Sequence, residues 1–175
     1  MECEFEIKGY HPLMMNNPLA GKLELKEPDE KLAKEQAEKR LYKNNKGESV
    51  LPAVHLEGAF IQAAKDVKVP GQRNKKYTQY AKTLVRFSPE YIPIDGTWET
   101  DVRQVRNPAT GGRFLTARPI YQEWTVRGKI LVADDELISE NAVKEILELA
   151  GKICGVGTFR AKFGQFEVTK FNKVK

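Results

Sequence analysis

Apolar and polar residues alternate strictly at the start of the chain. Cys3, Phe5 and Ile7 would face one side of a strand, and the charged residues between them would face the other. A period of two is typical of a half-buried β-strand. Other parts of the chain show a similar alternation or a short apolar run, and these patterns predict further strands. One of them starts near Arg113. The predicted strands with defined limits are 2–8, 83–87, 90–94, 98–106, 124–132 and 165–171.

Helical periodicity is clearest near the C-terminus. Ser139 is a good N-cap, and the apolar residues that follow it recur at intervals of three and four residues up to Ile153. Weaker patterns predict helices over 29–44 and 52–67, with a loop over 68–82 and a turn over 107–112.

The order of these elements predicts the fold. Strand, helix, strands, helix and strand follow the β-α-β-β-α-β plan of ferredoxin-like (RRM-like) proteins. We therefore expect an α+β domain in which helices cover an antiparallel sheet, with an inserted helix and a basic hairpin. A single domain would span residues 1–175, with insertions at about 26–48 and 68–118.

Composition narrows the classes of function. The chain has 175 residues, of which 41% are hydrophobic, and it lacks a membrane-length apolar run. The acidic start, Met1 to Glu6, does not resemble a signal peptide. Cys3 and Cys154 have no metal-ligand spacing and are expected to be small buried residues. We expect a cytoplasmic protein without a cofactor or a metal site and without a membrane partner.

The positive charge is unevenly distributed along the sequence. Residues 65–118 hold 11 Lys and Arg against five Asp and Glu, whereas the net charge of the whole chain is only +5. Such asymmetry indicates a surface that binds a polyanion.

Two parts of this stretch carry candidate binding residues. Cations neutralise phosphates and aromatic rings stack on bases, so a basic surface with interleaved tyrosines favours single strands. Residues 68–86 contain no acid, and a predicted hairpin at 98–118 carries four arginines. The candidates are Arg73, Lys75, Lys76, Tyr77, Tyr80, Lys82, Arg103, Arg106, Arg113 and Arg118.

A glycine-bearing loop between the last helix and the last strand is a further candidate. Gly155 and Gly157 allow a close approach of the backbone to phosphates, and Arg160 and Lys162 add charge. The three phenylalanines Phe159, Phe163 and Phe166 are interpreted as core residues rather than stacking platforms.

Two segments resemble motifs of RAMP proteins, the RRM-fold RNA-binding subunits of CRISPR effector complexes. Residues 51–60, LPAVHLEGAF, are similar to the segment I-P-G-S-S-L-K-G-A-L-R that opens the first helix in that family. Residues 155–166 are similar to its glycine-rich loop. Val54 and His55 replace the family's small hydroxyl pair, and Glu57 stands where a basic residue is common.

The resemblance implies binding of single-stranded RNA, often as a repeated subunit along the strand. Together with the uneven charge, it favours a non-enzymatic binding protein. A relative from a mobile element would bind single-stranded DNA instead. Expected partners are therefore single-stranded nucleic acid together with further copies or other ribonucleoprotein subunits.

Two alternatives to this function stay open. One is a metal-independent RAMP-like endoribonuclease that uses His55 or His11 as general acid or base. The other is a structural or assembly subunit whose basic face contacts an acidic protein.

Overall fold

A computed structural model describes residues 1–21, 24–107 and 109–174. Its four α-helices are α1 (Glu30–Lys39), α2 (Ala53–Ala63), α3 (Thr78–Leu84) and α4 (Glu140–Ile153). Its strands are β1 (Glu2–Gly9), β2 (Leu13–Met14), β3 (Val50–Pro52), β4 (Val85–Ser88), β5 (Tyr91–Asp95), β6 (Trp98–Arg106), β7 (Arg113–Tyr121), β8 (Thr125–Val132) and β9 (Phe166–Lys173). The predicted mixture of helices and antiparallel sheets is confirmed.

The larger sheet has the strand order β3-β5-β8-β1-β9, and β4 also pairs with β8. β1 is antiparallel to both of its neighbours, β8 and β9. Its predicted alternation is confirmed, because Cys3, Phe5 and Ile7 are at most 3% exposed. Helices α2 and α4 pack on this apolar face and complete the main core. Both cysteines are buried and free, as the sequence predicts.

The smaller sheet has the order β2-β7-β6, and β6 and β7 form the predicted hairpin. Helix α1 packs on one face of this hairpin, where Ala33 and Ala37 meet Ala117. The hairpin is therefore covered on one side by its own helix and forms a unit beside the larger sheet. Pro108, in the predicted turn at its tip, lies outside the described residues.

The structure corrects the sequence prediction at several elements. Part of the predicted loop 68–82 belongs to helix α3, because Tyr77 and Ala81 bury one side of a short turn of helix. The predicted helices 29–44 and 52–67 are shorter than expected and end at Lys39 and Ala63. Glu57, an unusual residue in the family-like segment, accepts a hydrogen bond from the Phe87 backbone N–H of β4 at 3.1 Å.

Candidate nucleic-acid interface

The hairpin face that points away from α1 carries charged residues. Side chains of directly paired residues share a face, and successive residues alternate between faces. Asp101 pairs with Arg118, and Arg103 pairs with Thr116. Because Ala117 points towards α1, these four side chains lie on the opposite face.

The C-terminal loop (residues 155–164) is fixed beside β2. The Thr158 N–H donates to the Met14 carbonyl at 2.8 Å, and the Gly164 N–H donates to the Pro12 carbonyl at 2.8 Å. Gly157 adopts φ +81, and a Cβ atom there would lie 2.4 Å from the Met14 oxygen. A glycine is therefore required for this close approach.

The two segments meet through aromatic rings. The Arg118 guanidinium lies 4.6 Å from the Phe159 ring centroid, and the Arg103 guanidinium lies 5.0 Å from that of Phe163. The two rings meet edge to face, with centroids 6.5 Å apart. We call Arg103, Arg118, Phe159 and Phe163 the arginine–phenylalanine cluster.

The interpretation of these phenylalanines as core residues is wrong for Phe159, which is 41% exposed. Phe163 is half-buried, and only Phe166 lies fully in the core. The sequence contains a weak signal for this difference in burial among the three phenylalanines. Phe159 and Phe163 flank Arg160 and Lys162 in a loop, whereas Phe166 begins a strand.

Positive charge dominates the electrostatics of the cluster. The carboxylate of Asp101, two residues before Arg103, accepts two hydrogen bonds from its guanidinium at 2.5 and 2.6 Å. Burial lowers the pKa of Arg118, and the nearby charges of Arg40 and Arg103 lower it further. Within the described residues, the buried Nε of Arg118 has no hydrogen-bond acceptor. The two arginines of the cluster thus lie beside one aspartate and a third arginine, an arrangement suited to a bound anion.

The hairpin tip and the outer side of the C-terminal loop extend this positive surface. Arg106 and Arg113 are exposed and pair directly with each other across the hairpin, where like charges repel. Arg160 and Lys162 are exposed, and the Lys162 Nζ lies 5.9 Å from the Phe163 ring. The backbone of Gly155 does not join them, because its N–H donates to Ala150 at 2.9 Å and the residue is buried.

The basic segment (residues 68–86) is attached to the larger sheet instead. Arg73, Lys75 and Lys82 are exposed and Lys76 is half-buried. The expectation that Tyr77 stacks on bases is wrong, since the residue is 4% exposed and packs in the core. The structure thus divides the predicted basic surface between two sheets.

The remaining aromatic residue of the basic segment is engaged with a lysine. Tyr80 is half-buried, and the Lys75 ammonium lies 4.5 Å from its ring centroid and donates to its hydroxyl. Arg86 donates to two backbone carbonyls of its own segment, at 2.7 and 2.9 Å. Lys75 and Arg86 are therefore already engaged in contacts within the protein itself.

The two histidines have different surroundings. His55 stacks edge to face on Tyr42 with ring centroids 5.3 Å apart, and within the described residues its buried Nδ1 has no hydrogen-bond partner. Burial lowers the pKa of His55, and the charge of Arg160 lowers it further. His11 is exposed and contacts Tyr10 at 5.0 Å. The charge of Arg160, in the C-terminal loop, therefore acts on His55, whereas His11 is exposed elsewhere.

The open face of the larger sheet is charged but internally paired. Arg127 and Lys170 bind the carboxylate of Glu6 at 2.6 and 3.3 Å, and Lys129 binds Glu2 at 2.7 Å. Hydrogen bonds, the strongest from Arg127, lower the pKa of Glu6 to about 2. A face with neutralised cations attracts a polyanion less than the cluster does.

The described residues contain neither a cluster of metal ligands nor a membrane-length apolar helix. No group of three or more His, Cys, Asp or Glu is placed to hold a metal ion. No helix in the same residues has the length and apolar character to cross a membrane.

Comparisons with known proteins give a fold but not a sequence family. No family model and no curated protein matches the sequence. A solved structure described as "Cryo-EM structure of the Type III-B Cmr-beta bound to cognate target RNA" contains a chain that matches with a TM-score of 0.58 and 14% sequence identity. The match covers 99% of this chain and 60% of that chain, so this protein spans 60% of its neighbour's length.

A second solved structure, "Crystal structure of Cmr6 from Pyrococcus furiosus", matches at 10% identity with a TM-score of 0.45, over 99% of this chain and 98% of that one. That score is too low to support an argument. The first match concerns the fold, and it confirms at that level the resemblance to RAMP proteins that the sequence predicts. The chain therefore has the fold of a chain in the Cmr-beta assembly.

Proposed function

We propose that this protein is a RAMP-related, non-enzymatic subunit that binds single-stranded nucleic acid at the arginine–phenylalanine cluster. The observation that carries the proposal is the unused hydrogen-bond donor of Arg118. Its guanidinium lies 4.6 Å from the Phe159 ring centroid, and its buried Nε has no acceptor in the part of the chain that the structure describes. A phosphate placed there would accept the hydrogen bonds that arginine donates.

The topology supports this assignment. β1, α2, β4, β8, α4 and β9 follow one another in the β-α-β-β-α-β order, and β1 lies between β8 and β9 in the sheet. We assign this arrangement to the ferredoxin-like plan. We also assign residues 1–175 to one domain with insertions at about 26–48 and 68–118, the second of which includes the hairpin.

The proposed contacts form a primary and a secondary set. The primary set comprises the cluster with Gly157, Arg160 and Lys162 of the C-terminal loop and Arg106 and Arg113 of the hairpin tip. The secondary set comprises Arg73, Lys75, Lys76, Tyr80 and Lys82 of the basic segment, which would follow the backbone by charge alone.

The nature of the ligand and of the assembly also belongs to this proposal. The Cmr-beta complex that contains the matching chain is bound to cognate target RNA, which favours RNA over single-stranded DNA for this chain. We propose that the protein works in the cytoplasm, together with further ribonucleoprotein subunits or copies of itself.

Fluorescence anisotropy tests the proposal with single-stranded RNA and DNA about 12 nucleotides long, a length within the range of single-strand binding sites. We expect micromolar or tighter binding that weakens between about 50 and 200 mM salt, with a slope near −3 for four phosphate contacts. The double variant Lys31→Gln/Lys144→Gln loses two exposed lysines away from the site and should bind as the native protein does. Absence of binding at low salt would refute the function.

A second candidate function is supported by one observation, the unpartnered Nδ1 of His55 near Arg160. A neutral imidazole there would act as the base of a metal-independent endoribonuclease. Incubation with a hairpin RNA in EDTA tests this, and cleavage should disappear in His55→Ala but persist in His11→Ala. RNA that stays intact after long incubation removes this candidate.

A further inference from the structure

We infer that Phe159 is a stacking platform for one unpaired base, which makes binding depend on bases as well as on phosphates. This inference rests on the proposed function and names the chemical group that the site recognises. The platform is a phenyl ring that is 41% exposed on the loop that faces the basic hairpin.

The ring has contacts within the protein and is also partly open to solvent. The guanidinium groups of Arg118 and Arg103 lie 4.6 and 5.8 Å from its centroid, and Phe163 contacts it edge to face. These neighbours hold the ring, and 41% of the residue stays exposed on the side open to solvent. A base on that side would extend an existing stack of guanidinium and phenyl groups.

The backbone presents this ring in a fixed position. Phe159 has φ +55, and its carbonyl accepts a hydrogen bond from the Phe163 N–H at 3.0 Å. The adjacent Thr158 N–H is bonded to Met14 at 2.8 Å. An aromatic side chain on an anchored loop loses little conformational freedom when a base stacks on it.

The left-handed backbone conformation of Phe159 bears on why a phenyl ring is found at this position. Glycine adopts positive φ more easily than an L-residue with a Cβ atom, so the ring at this position works against local backbone preference. Phe159 also lies outside the main hydrophobic core. Since the ring contributes little to the core, its exposed surface is better explained by a ligand than by packing.

The recognised group is a nucleobase in a single strand. Stacking requires a free face, which a base inside a duplex does not offer, and every base has such a face. The platform therefore selects unpaired over paired nucleic acid and tolerates any sequence. Phosphates beside the stacked base would lie near Arg118 and Arg160, the cations closest to the ring in space and in sequence.

The experiment compares two ligands of equal charge, an oligoadenylate RNA and an abasic ribose-phosphate strand with the same number of phosphates. We expect the native protein to prefer the oligoadenylate about five- to 150-fold, the range that corresponds to ~1–3 kcal/mol of stacking free energy per base. In Phe159→Leu this preference should fall close to one, because affinity for the oligoadenylate falls more than affinity for the abasic strand. Tyr91→Leu, which removes an exposed aromatic residue from β5, should leave the preference intact.

A second variant separates stacking from folding. Phe159→Gly relieves the positive φ, so its thermal midpoint should not fall below that of the native protein, although the base preference is lost. Equal affinity of the native protein for both strands would overturn the inference and leave the proposed function standing. An unchanged preference in Phe159→Leu would also overturn it. If the native protein binds neither strand, the proposed function itself fails.

Discussion

The basic segment and the arginine–phenylalanine cluster contain the same types of residue, cations and aromatic rings, in different arrangements. In the basic segment they are neighbours in sequence, yet Tyr77 is buried and the Tyr80 ring is in contact with Lys75. In the cluster the arginines come from the hairpin, and the rings come from a loop that begins about 40 residues later.

This difference decides what each region offers to a ligand. The basic segment presents cations that are mostly solvated, and such charges act at long range and are screened by salt. The cluster presents guanidinium groups that are stacked, partly desolvated and close to one another. Preorganised, partly desolvated cations interact more strongly with an anion than fully solvated ones do. Cations and aromatic residues that are neighbours in the sequence thus indicate a binding site less reliably than those that are neighbours on the folded surface.

A pair of glycine substitutions gives the largest expected difference between the two regions. Gly157→Ala would place a Cβ atom 2.4 Å from the Met14 oxygen at φ +81, whereas Gly71→Ala in the basic segment, at φ +72, meets nothing within 4 Å. The strained backbone should cost each variant about 1–2 kcal/mol, and overpacking should add about 1–3 kcal/mol at Gly157. Urea unfolding measures the two free energies.

The same pair separates stability from binding. A displaced C-terminal loop would move Phe159 and Phe163 away from the arginines, so Gly157→Ala should also weaken nucleic-acid binding when the variant is folded. Gly71→Ala should bind as the native protein does. Equal losses of stability in the two variants would contradict the tight approach of the loop to β2.

A pair of charge substitutions gives the next largest effect. Arg103→Gln/Arg118→Gln and Lys75→Gln/Lys76→Gln each remove two positive charges, so they match in net charge. Because hydrogen bonds to charged groups contribute about 1.5–3 kcal/mol, we expect the cluster variant to bind single-stranded RNA about 10- to 100-fold more weakly. The lysine variant should lose about threefold, as expected for solvated charges worth ~0.2–1 kcal/mol. Anisotropy measures both, with circular dichroism to verify that each variant is folded.

The reverse order of these two losses would place the binding site on the basic segment. It would also support an interface in which charge density along the sequence matters more than preorganisation. Equal losses would indicate that the strand contacts both regions, so that the secondary set of contacts belongs to the main site.

The sequence predicts those features that depend on local patterns. The alternation in β1 and the apolar spacing in α4 are both set by burial of one side of the element, and both are confirmed except at Ile153, which is 45% exposed. The hairpin is also found where it is expected. The apolar spacing of Tyr77 and Ala81 is present for α3, but seven residues are too few for periodicity to separate a helix from a loop.

The site depends on contacts between distant segments, which local patterns do not contain. Nothing near Phe159 in the sequence indicates that Arg118 would lie 4.6 Å from its ring. Residues 103–118 contain no acid, and Asp101 lies two residues before them. Its ion pair with Arg103 can therefore be recognised only from the side-chain geometry. The sequence therefore identifies most of the cations, and the structure determines which of them act together.

The smallest expected effect concerns pH, to which the two regions should respond differently. The basic segment contains no histidine, whereas His55 has a pKa lowered by burial and by the charge of Arg160 in the C-terminal loop. Between the lowered pKa and the ordinary value near 6.5, the unfolded chain binds more protons than the folded one, so stability falls as the pH decreases through this range. His55 contacts Tyr42, whose pKa is raised by burial, and the carboxylates with lowered pKa lose their contribution only at more acidic pH. Urea unfolding from about pH 7.5 to 5 should therefore show a modest decrease in stability that His55→Gln removes and His11→Gln, at an exposed site, retains. A decrease that persists in His55→Gln would mean that the imidazole is not held neutral in the folded protein, and it would weaken the case for its role as a base.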